Sequence, residues 1–255
     1  MDSIERFSNR VENYVKYRPS YPKTIVGFMT AELNLRPESA IADVGAGTGK
    51  LTELFLDNGN PVFAVEPNEE MLAAAQTLLG DRPNFYPIAG TAEATTLPNQ
   101  SADFITAGQA FHWFNHDKTK MEFRRILKPG GYVLLIWNEW RQDTPFLQAY
   151  QDIVARYSVD YGAVNRKQVT GENKETALGN FLGEFQTRTF DNTQLFDFDG
   201  VKGRLLSSSY SPLSNHPNHQ PMLAALEAAF AAHAENGRIS FNYDCQVFYG
   251  QLRAR

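Results

Sequence analysis

The sequence contains, at residues 41–50, the stretch Ile41-Ala42-Asp43-Val44-Gly45-Ala46-Gly47-Thr48-Gly49-Lys50, in which three alternating glycines follow a short apolar run. A helical pattern of apolar residues, Leu51, Leu54 and Phe55, comes directly after it. This order is typical of a buried parallel strand that turns sharply into a helix. Glycine suits the turn because the backbone takes unusual φ values there and a ligand can approach where a Cβ would stand. The helix N-terminus then offers unpaired N–H groups to polar ligand atoms.

Two other nucleotide-binding loops fit this stretch less well. A phosphate-binding P-loop has the pattern G-x-x-x-x-G-K-[ST], but Val44 stands at its first glycine and Leu51 at its serine or threonine. The dinucleotide fingerprint G-x-G-x-x-G needs a third glycine where Lys50 stands. The P-loop is therefore excluded, and an NAD(P)-dependent oxidoreductase is kept as the less favoured alternative.

A second acidic residue follows at the distance expected for ribose binding. The apolar run Val62–Glu66 predicts another buried strand, and it ends in a carboxylate. Glu66 lies 21 residues after Gly45, close to the offset of roughly 20 residues at which an acid reaches a ribose in a βαβ unit. A carboxylate can accept hydrogen bonds from both ribose hydroxyls. We therefore expect the glycine loop and Glu66 to meet at one adenosine sugar.

Three segments resemble a known enzyme family. The pattern acidic-x-Gly-x-Gly-x-Gly over Asp43–Gly49 resembles motif I of the class I S-adenosylmethionine-dependent methyltransferases. The phrase Leu-Lys-Pro-Gly-Gly at Leu127–Gly131 is similar to the segment before the fifth strand in that class. Gln-Ala-Phe-His-Trp at Gln109–Trp113 is similar to a run in its small-molecule branch, the methyltransferase type 11 and trans-aconitate methyltransferase-like proteins. The resemblance covers about the first 140 residues of the chain.

The resemblance implies an α/β fold. Its Rossmann-like sheet would have seven mostly parallel strands, an antiparallel last strand and helices on both faces, with a cap from the N-terminal segment and C-terminal insertions. The alternating residues of Ile239–Tyr249 suit that antiparallel strand. We expect a single methyltransferase domain over residues 1–255. Within it, residues 1–35 would form N-terminal cap helices, residues 36–140 the cofactor-binding core, and residues 141–255 the substrate cap and the completion of the sheet.

The resemblance also implies S-adenosyl-L-methionine (SAM) as the cofactor. The residues expected to bind it lie in the N-terminal segment and in the loops after the first four strands: Tyr17, Arg18, Asp43, Gly45, Ala46, Gly47, Gly49, Glu66, Pro67, Met71, Thr91, Ala92, Glu93, Gln109 and Ala110. In similar enzymes an Arg-Pro-x-Tyr-Pro element, here Arg18–Pro22, folds over the methionine end of SAM. The alternative role for Tyr17 is to pack a terminal helix onto the body.

Two further positions have particular expectations. Met71 stands where the family often places an apolar residue against the adenine, and core packing is an equally good explanation of it. Thr91 replaces the aspartate of the family's Gly-Asp-Ala-Glu loop, so that contacts to the adenine would come from the backbone of Ala92 and from Glu93.

The candidate catalytic residue is His112, at the carboxyl edge of the predicted fourth strand. Histidine can be neutral at cytoplasmic pH and act as a general base. The alternative is that His112 lines the pocket or bonds the cofactor. His112 and His116 have the spacing of zinc-binding helices, but Trp113 replaces the glutamate of H-E-x-x-H, so no metal site is predicted. Asn138 and Arg141 are further pocket candidates.

Composition and length limit the classes of function. A chain of 255 residues is ordinary for one α/β domain. Its formal charge of −5 argues against a nucleic-acid footprint, and Cys245, the only cysteine, fits a reducing compartment. Neither a signal-peptide pattern nor an apolar run of about 18 residues is present in the sequence. We expect a cytoplasmic monomer or homodimer that acts on a small-molecule substrate, and not on nucleic acid or a membrane.

The pattern loosens after Trp140. Residues 158–180 are polar with few apolar anchors, and Gln186–Phe190 is the next predicted strand. We expect this region to cap the active site and select the substrate, as loops on a rigid scaffold do. The predicted function is transfer of a methyl group from SAM to a small molecule, at a carboxylate or hydroxyl oxygen. The alternatives are an NAD(P)-dependent oxidoreductase and a SAM-binding protein without turnover.

Overall fold

The structure, a computed structural model, describes residues 15–159 and 172–252. Its helices and strands are, in chain order, α1 (Thr24–Leu33), β1 (Ile41–Val44), α2 (Lys50–Asp57), β2 (Val62–Glu66), α3 (Glu69–Leu79), β3 (Phe85–Ala89), β4 (Ala102–Gly108), a 3₁₀ helix (Phe111–Trp113), α4 (His116–Ile126), β5 (Leu127–Trp140), α5 (Pro145–Tyr157), α6 (Glu172–Leu182), β6 (Gln186–Phe196), α7 (Phe198–Leu206), α8 (His219–His233) and β7 (Ile239–Gly250). The N-terminal cap helices expected over residues 1–35 lie partly outside the described residues; within the described part, residues 15–17 and α1 are helical. Within the described segments, no helix combines the length and apolar character needed to cross a membrane.

The seven strands form one sheet in the order β3-β2-β1-β4-β5-β7-β6. β1 pairs in parallel with β2 and β4, β2 with β3, and β4 with β5. β7 runs antiparallel to both β5 and β6. The strand order reverses between β1 and β4, so the loops after these strands leave a crevice where open α/β sheets bind ligands. The predicted seven-stranded, mostly parallel sheet with an antiparallel last strand is confirmed.

Helices cover both faces of the sheet because its central strands carry apolar side chains on both faces. All residues of β1 are buried. On one face, Ile41 belongs to a cluster with residues of α1 and α2. On the other, Ala42 and Val44 belong to a cluster with residues of α4 and α6. A third cluster joins α5, α7 and α8 to β7 through Phe241 and Tyr243, and these three helices form the cap.

Two parts of the C-terminal region differ from expectation. The polar segment 158–180 contains most of α6, whose Leu178, Phe181 and Leu182 are buried in the core. Three apolar side chains at helical spacing suffice to dock a short helix, although they leave only a weak periodic signal. β6 continues beyond Phe190 to Phe196 because it pairs with β7 along its whole length. Its many exposed polar residues hide this extension in the sequence.

Candidate cofactor and acceptor site

The glycine loop connects β1 to α2 at the carboxyl edge of the sheet. Gly45, Gly47 and Gly49 have φ values of 72°, 58° and 85°. A Cβ on Gly45 would lie 2.6 Å from the Cβ of Ala110, and one on Gly49 would lie 2.5 Å from Cδ1 of Leu79. A Cβ on Gly47 would meet nothing within 4 Å. Two glycines therefore permit close packing inside the protein, whereas the third borders open space that a ligand can enter.

Glu66 lies against this loop. Its Oε2 accepts a hydrogen bond from the Gly47 N–H at 2.8 Å, and its Oε1 accepts one from the Asn68 N–H at 2.9 Å. The residue is 8% exposed, and burial raises the pKa of its carboxyl, against the two backbone donors that lower it. The bend and the carboxylate therefore meet at the carboxyl ends of β1 and β2, in the arrangement that their spacing predicts. A cradle open at Gly47 with a carboxylate beside it fits a ribose.

Asp43 lies beneath the loop rather than inside the cradle. It has no exposed surface, and its two carboxylate oxygens accept hydrogen bonds from Thr52 at 2.7 Å and Thr106 at 3.0 Å. Burial raises the pKa of Asp43 to about 6, although both hydroxyl bonds lower it. The side chain ties the end of β1 to the first turn of α2 and to β4. The side chain therefore supports the loop from below, and the cofactor contact that the family resemblance implies for Asp43 stays a prediction.

The segment after β3 forms a tight turn at the same edge. Thr91 and Ala94 exchange backbone hydrogen bonds of 3.2 Å, and the side chain of Ala92 is buried in the core. Oε1 of Glu93 accepts a hydrogen bond from the Asn115 N–H at 2.7 Å, which holds this turn against the start of α4. Ala92 thus has only its backbone to offer a ligand, and Glu93 already fixes the position of a neighbouring loop.

Gln109 and Ala110 complete the edge after β4. Gln109 has φ 56°, its N–H donates to the carbonyl of Ile136, and its Nε2 donates to the carbonyl of Asn138 at 2.9 Å. Ala110 closes the base of the glycine loop through its contact with Gly45. A Cβ on Gly108 would lie 2.4 Å from the hydroxyl of Tyr21. The N-terminal segment therefore crosses directly over the end of β4.

On the neighbouring loops, Pro67 directly follows Glu66 and is partly exposed, and Ala46 is partly exposed within the glycine loop. Met71, in the first turn of α3, is buried. Asn68 caps α3 by accepting a hydrogen bond from the Met71 N–H at 2.9 Å. This capping residue fixes the helix beside Glu66, and its position before a run of two acids in the sequence is a recognisable helix-start signal.

His112 lies in the 3₁₀ helix after β4 and is partly buried. Its Nδ1 is buried and has no hydrogen-bond partner among the described residues. Burial lowers the pKa of His112 to about 4, so the imidazole is neutral at physiological pH. His116 has a different role, because its ring stacks on Phe111 with 4.1 Å between centroids. The described residues contain no cluster of three or more His, Cys, Asp or Glu side chains that could hold a metal ion.

The N-terminal segment reaches from this edge to the cap. The carbonyl of Ser20 accepts hydrogen bonds from Nδ2 of Asn138 at 3.2 Å and Nδ2 of Asn192 at 2.7 Å. Arg18 donates to the carbonyl of Ser207 at 3.2 Å. The Tyr17 ring packs against Gly203 of α7, where a Cβ would overlap it at 2.0 Å. Tyr17 therefore packs against the cap, which is the alternative that the sequence left open for it.

Arg141 forms ion pairs just after the end of β5. Its guanidinium donates to Asp244 at 2.7 Å and forms an ion pair with Asp191. These contacts join the end of β5 to β7 and β6 and satisfy the charge. The pocket role expected for Arg141 stays a prediction.

Comparison with known proteins shows that the core is similar to methyltransferases. The family model described as a methyltransferase domain matches residues 42–135. A methyltransferase-like protein of Schizosaccharomyces pombe is 34% identical over 158 residues, which are 62% of this chain and 60% of that protein. The ubiquinone/menaquinone biosynthesis C-methyltransferase of Burkholderia vietnamiensis is 33% identical over 114 residues, which are 43% of this chain and 47% of that protein. The matched part thus spans less than two thirds of either relative.

The fold extends beyond the matched core. A solved structure described as a type II methyltransferase from Anaeromyxobacter dehalogenans has a TM-score of 0.67 with this chain at 21% identity. The match covers 94% of this chain and 100% of that one. The similarity shows that the cap and the antiparallel strands belong to the same overall fold in both proteins.

Proposed function

We propose that the chain is a class I SAM-dependent methyltransferase, in keeping with the methyltransferase-domain model that matches residues 42–135, and that it transfers a methyl group from SAM to an oxygen of a small-molecule acceptor. The observation that carries the proposal is the meeting of the Glu66 carboxylate with the N–H of Gly47, beside open space at the carboxyl edge of the sheet. SAM supplies an electrophilic methyl group, so the protein mainly has to orient the reactants and exclude water.

We assign the ribose of SAM to Glu66. The carboxylate accepts two backbone hydrogen bonds and keeps lone pairs for the two ribose hydroxyls. Gly47 provides the close backbone approach, and Ala46 and Gly49 shape the loop around it. The adenine would lie between Met71 on one side and the turn of Thr91, Ala92 and Glu93 on the other, with the methionine end directed towards Gln109 and the segment that carries Arg18.

The acceptor atom follows from the state of His112. A general base is most effective when its pKa is near the working pH, and burial holds the pKa of His112 at about 4. Such an imidazole accepts a proton weakly, which suits an acceptor that is already ionised, such as a carboxylate. We therefore assign His112 to hydrogen bonding and lining of the pocket, in preference to proton abstraction.

Methyl transfer to carbon is the second candidate. It is favoured by the similarity to the Burkholderia vietnamiensis protein, which is named as a C-methyltransferase. A carbon acceptor requires removal of a proton from the acceptor, and burial lowers the pKa of His112, the candidate base, to about 4. Oxygen therefore remains the proposed acceptor atom, and small-molecule acids are preferred over phenols.

Binding of S-adenosylhomocysteine (SAH), the demethylated product of SAM, tests the cofactor assignment. We expect Glu66→Ala to weaken SAH affinity by about 100-fold, since two hydrogen bonds to a charged acceptor are lost. Glu69→Ala is the matched control, because Glu69 is exposed in the first turn of α3 and should leave the affinity unchanged. Isothermal titration gives both values. Undiminished binding by the Glu66 variant would refute the ribose assignment.

A SAH-release assay then tests the acceptor class. Carboxylic acids, phenols and carbon acids are supplied in parallel with SAM to the full chain. Release with an acid and not with its methyl ester supports transfer to a carboxylate oxygen. Release of SAH with a carbon acid alone, together with a C-methyl product by mass spectrometry, would identify carbon and not oxygen as the acceptor atom.

A further inference from the structure

Three amide side chains meet where β5 runs past the end of β4. Ile136 of β5 pairs with Gly108, the last residue of β4, and Asn138 lies two residues further along β5. Asn138 is 8% exposed, and its carbonyl accepts a hydrogen bond from Nε2 of Gln109 at 2.9 Å. Its Oδ1 accepts one from Nδ2 of Asn192, on β6, at 3.0 Å. We call Gln109, Asn138 and Asn192 the amide clamp, which joins the residue after β4 to β5 and β6.

The amide clamp also holds the N-terminal segment. Nδ2 of Asn138 and Nδ2 of Asn192 both donate to the carbonyl of Ser20, at 3.2 Å and 2.7 Å. Pro19, which is buried, and Pro22 have no N–H with which this segment could pair to a strand. Side-chain donors directed at its carbonyls are therefore the means by which the body of the protein fixes it.

The segment fixed in this way brings Tyr21 to the end of β4. A Cβ on Gly108 would lie 2.4 Å from the Tyr21 hydroxyl and 3.1 Å from Cδ2 of Leu51, in the first turn of α2. The Tyr21 hydroxyl therefore lies beside both the end of β4 and the helix that follows the glycine loop. The adjacent residues Ser20 and Tyr21 thus fasten the segment to β5 and to β4.

Gln109 has a backbone conformation that residues with a side chain rarely adopt. Its φ is 56°, its N–H donates to the carbonyl of Ile136 at 2.9 Å, and its side chain donates to the carbonyl of Asn138. Two acceptors on one strand therefore hold both its backbone and its side chain, which compensates the strain of the left-handed region. Strain of this kind is concentrated at functional sites. The chain turns here from β4 into the 3₁₀ helix that carries His112.

We propose that Asn138 is a positioning residue for methyl transfer, which acts through Gln109 and the N-terminal segment without touching the reactants. Its carbonyl fixes the turn after β4, and its side chain fixes Ser20 beside that turn, so that the two segments keep one relative position. The inference rests on the proposed function, in which the methionine end of SAM is directed towards Gln109 and the segment that carries Arg18. It gives Asn138 a supporting role in place of direct contact with the acceptor.

Binding of SAH to the full chain tests the inference before the acceptor is known. Asn138→Asp keeps the size of the side chain and the acceptor for Asn192, but replaces the Nδ2 donor by an oxygen that repels the Ser20 carbonyl. We expect this variant to bind SAH at least about fivefold more weakly in isothermal titration, since one hydrogen bond that positions the segment is lost. Dissociation of SAH should become faster in the same variant.

Asn60→Asp is the matched control. Asn60 has no exposed surface, and its Nδ2 donates to the carbonyls of Arg36 at 2.7 Å and Ser39 at 2.9 Å. It lies just before β2, at the edge of the sheet opposite to the glycine loop. The substitution removes the same kind of donor from backbone carbonyls and should lower stability alone. Its SAH affinity should equal that of the wild type at a temperature well below both melting temperatures.

Hydrogen exchange locates the effect in the N-terminal segment. Mass spectrometry should show slower exchange of residues 15–23 in the wild type when SAH is bound. In Asn138→Asp saturated with SAH, this peptide should exchange faster than in the wild-type complex, whereas peptides of α3 and β2 should not change. Asn192→Ala removes the second donor to Ser20 and should change affinity and exchange in the same direction. It provides the test if Asn138→Asp does not fold.

Three results would overturn the inference. The first is a loss of SAH affinity of less than about fivefold in Asn138→Asp, or no loss in Asn192→Ala if Asn138→Asp does not fold. The second is an equal loss in Asn60→Asp, which would identify a general loss of stability. The third is a loss of affinity with unchanged exchange of residues 15–23, which would place Asn138 in direct contact with the cofactor. Failure of the wild type to bind SAH at all would instead refute the proposed function, and the inference with it.

Discussion

Replacing Gly47 by alanine separates the ligand-binding role of the glycine loop from its role in folding. Gly47 has φ 58°, and a Cβ built on it meets no atom within 4 Å. The substitution therefore adds the strain of a left-handed backbone, about 1–2 kcal/mol for a residue other than glycine, without overlap inside the protein. The new methyl group occupies the open space beside Glu66 in which we place the ribose.

Two other glycines provide the comparison. Gly130 has φ 81° and also meets no atom within 4 Å, but it is exposed in the first part of β5, at the opposite edge of the sheet. Gly130→Ala thus reports backbone strain alone. Gly45→Ala adds an overlap with Ala110 at 2.6 Å, so we expect it to cost a further 1–3 kcal/mol or so, as overpacking does.

The assay is thermal unfolding combined with SAH titration. Gly47→Ala and Gly130→Ala should each lower the melting temperature by about 2–8 °C, given roughly 2–4 °C per kcal/mol for a chain of this size. SAH affinity should fall at least about tenfold, or 1.4 kcal/mol, only in Gly47→Ala. If Gly47→Ala binds SAH as tightly as Gly130→Ala, the space beside Gly47 does not hold the cofactor.

Two further predictions use the shifted pKa values. Because burial raises the pKa of Asp43 to about 6 in the folded state, above about 3.9 in the unfolded chain, the wild type loses stability as pH rises between these values. The free energy of unfolding of Asp43→Asn minus that of the wild type should therefore increase by up to about 3 kcal/mol between pH 4 and pH 7. Urea titrations at several pH values measure this difference, and a difference that does not change with pH would contradict the burial argument. Because the pKa of His112 is about 4, His112→Gln should slow turnover less than about tenfold and leave the pH–rate profile flat between pH 6 and 8. A loss of about 100-fold or more with an altered profile would identify His112 as the base.

The cofactor edge could be predicted from the sequence because its parts are local. Asp43–Gly49 and Glu66 belong to one strand-loop-helix-strand unit, and the number of residues between them fixes their meeting in space. The burial of Asp43 was also implied by the apolar strand around it. The sequence did not indicate which groups bond its carboxylate, since nothing in the spacing of Thr52 and Thr106 shows that both hydroxyls face Asp43.

The cap could not be predicted in the same way. Arg18 and Ser208 are 190 residues apart, and Arg204 and Tyr243 are 39 apart, so their contacts depend on how whole helices dock. Arg18 lies in the Arg-Pro-x-Tyr-Pro element that the resemblance assigns to the cofactor, whereas Arg204 lies in no recognisable motif. The sequence did not predict the extension of β6 for a related reason. This part of the strand is stabilised by pairing with β7, and its exposed polar residues lack the apolar alternation that indicates a strand.

The state of His112 limits the kind of acceptor that the proposed site can use. A neutral His112 with a pKa of about 4 is poorly suited to remove a proton from the acceptor. A carboxylic acid meets this condition, since its pKa of about 4 leaves it ionised at neutral pH without help from a base. A neutral carbon or phenol acceptor would not, because it would need a base at His112.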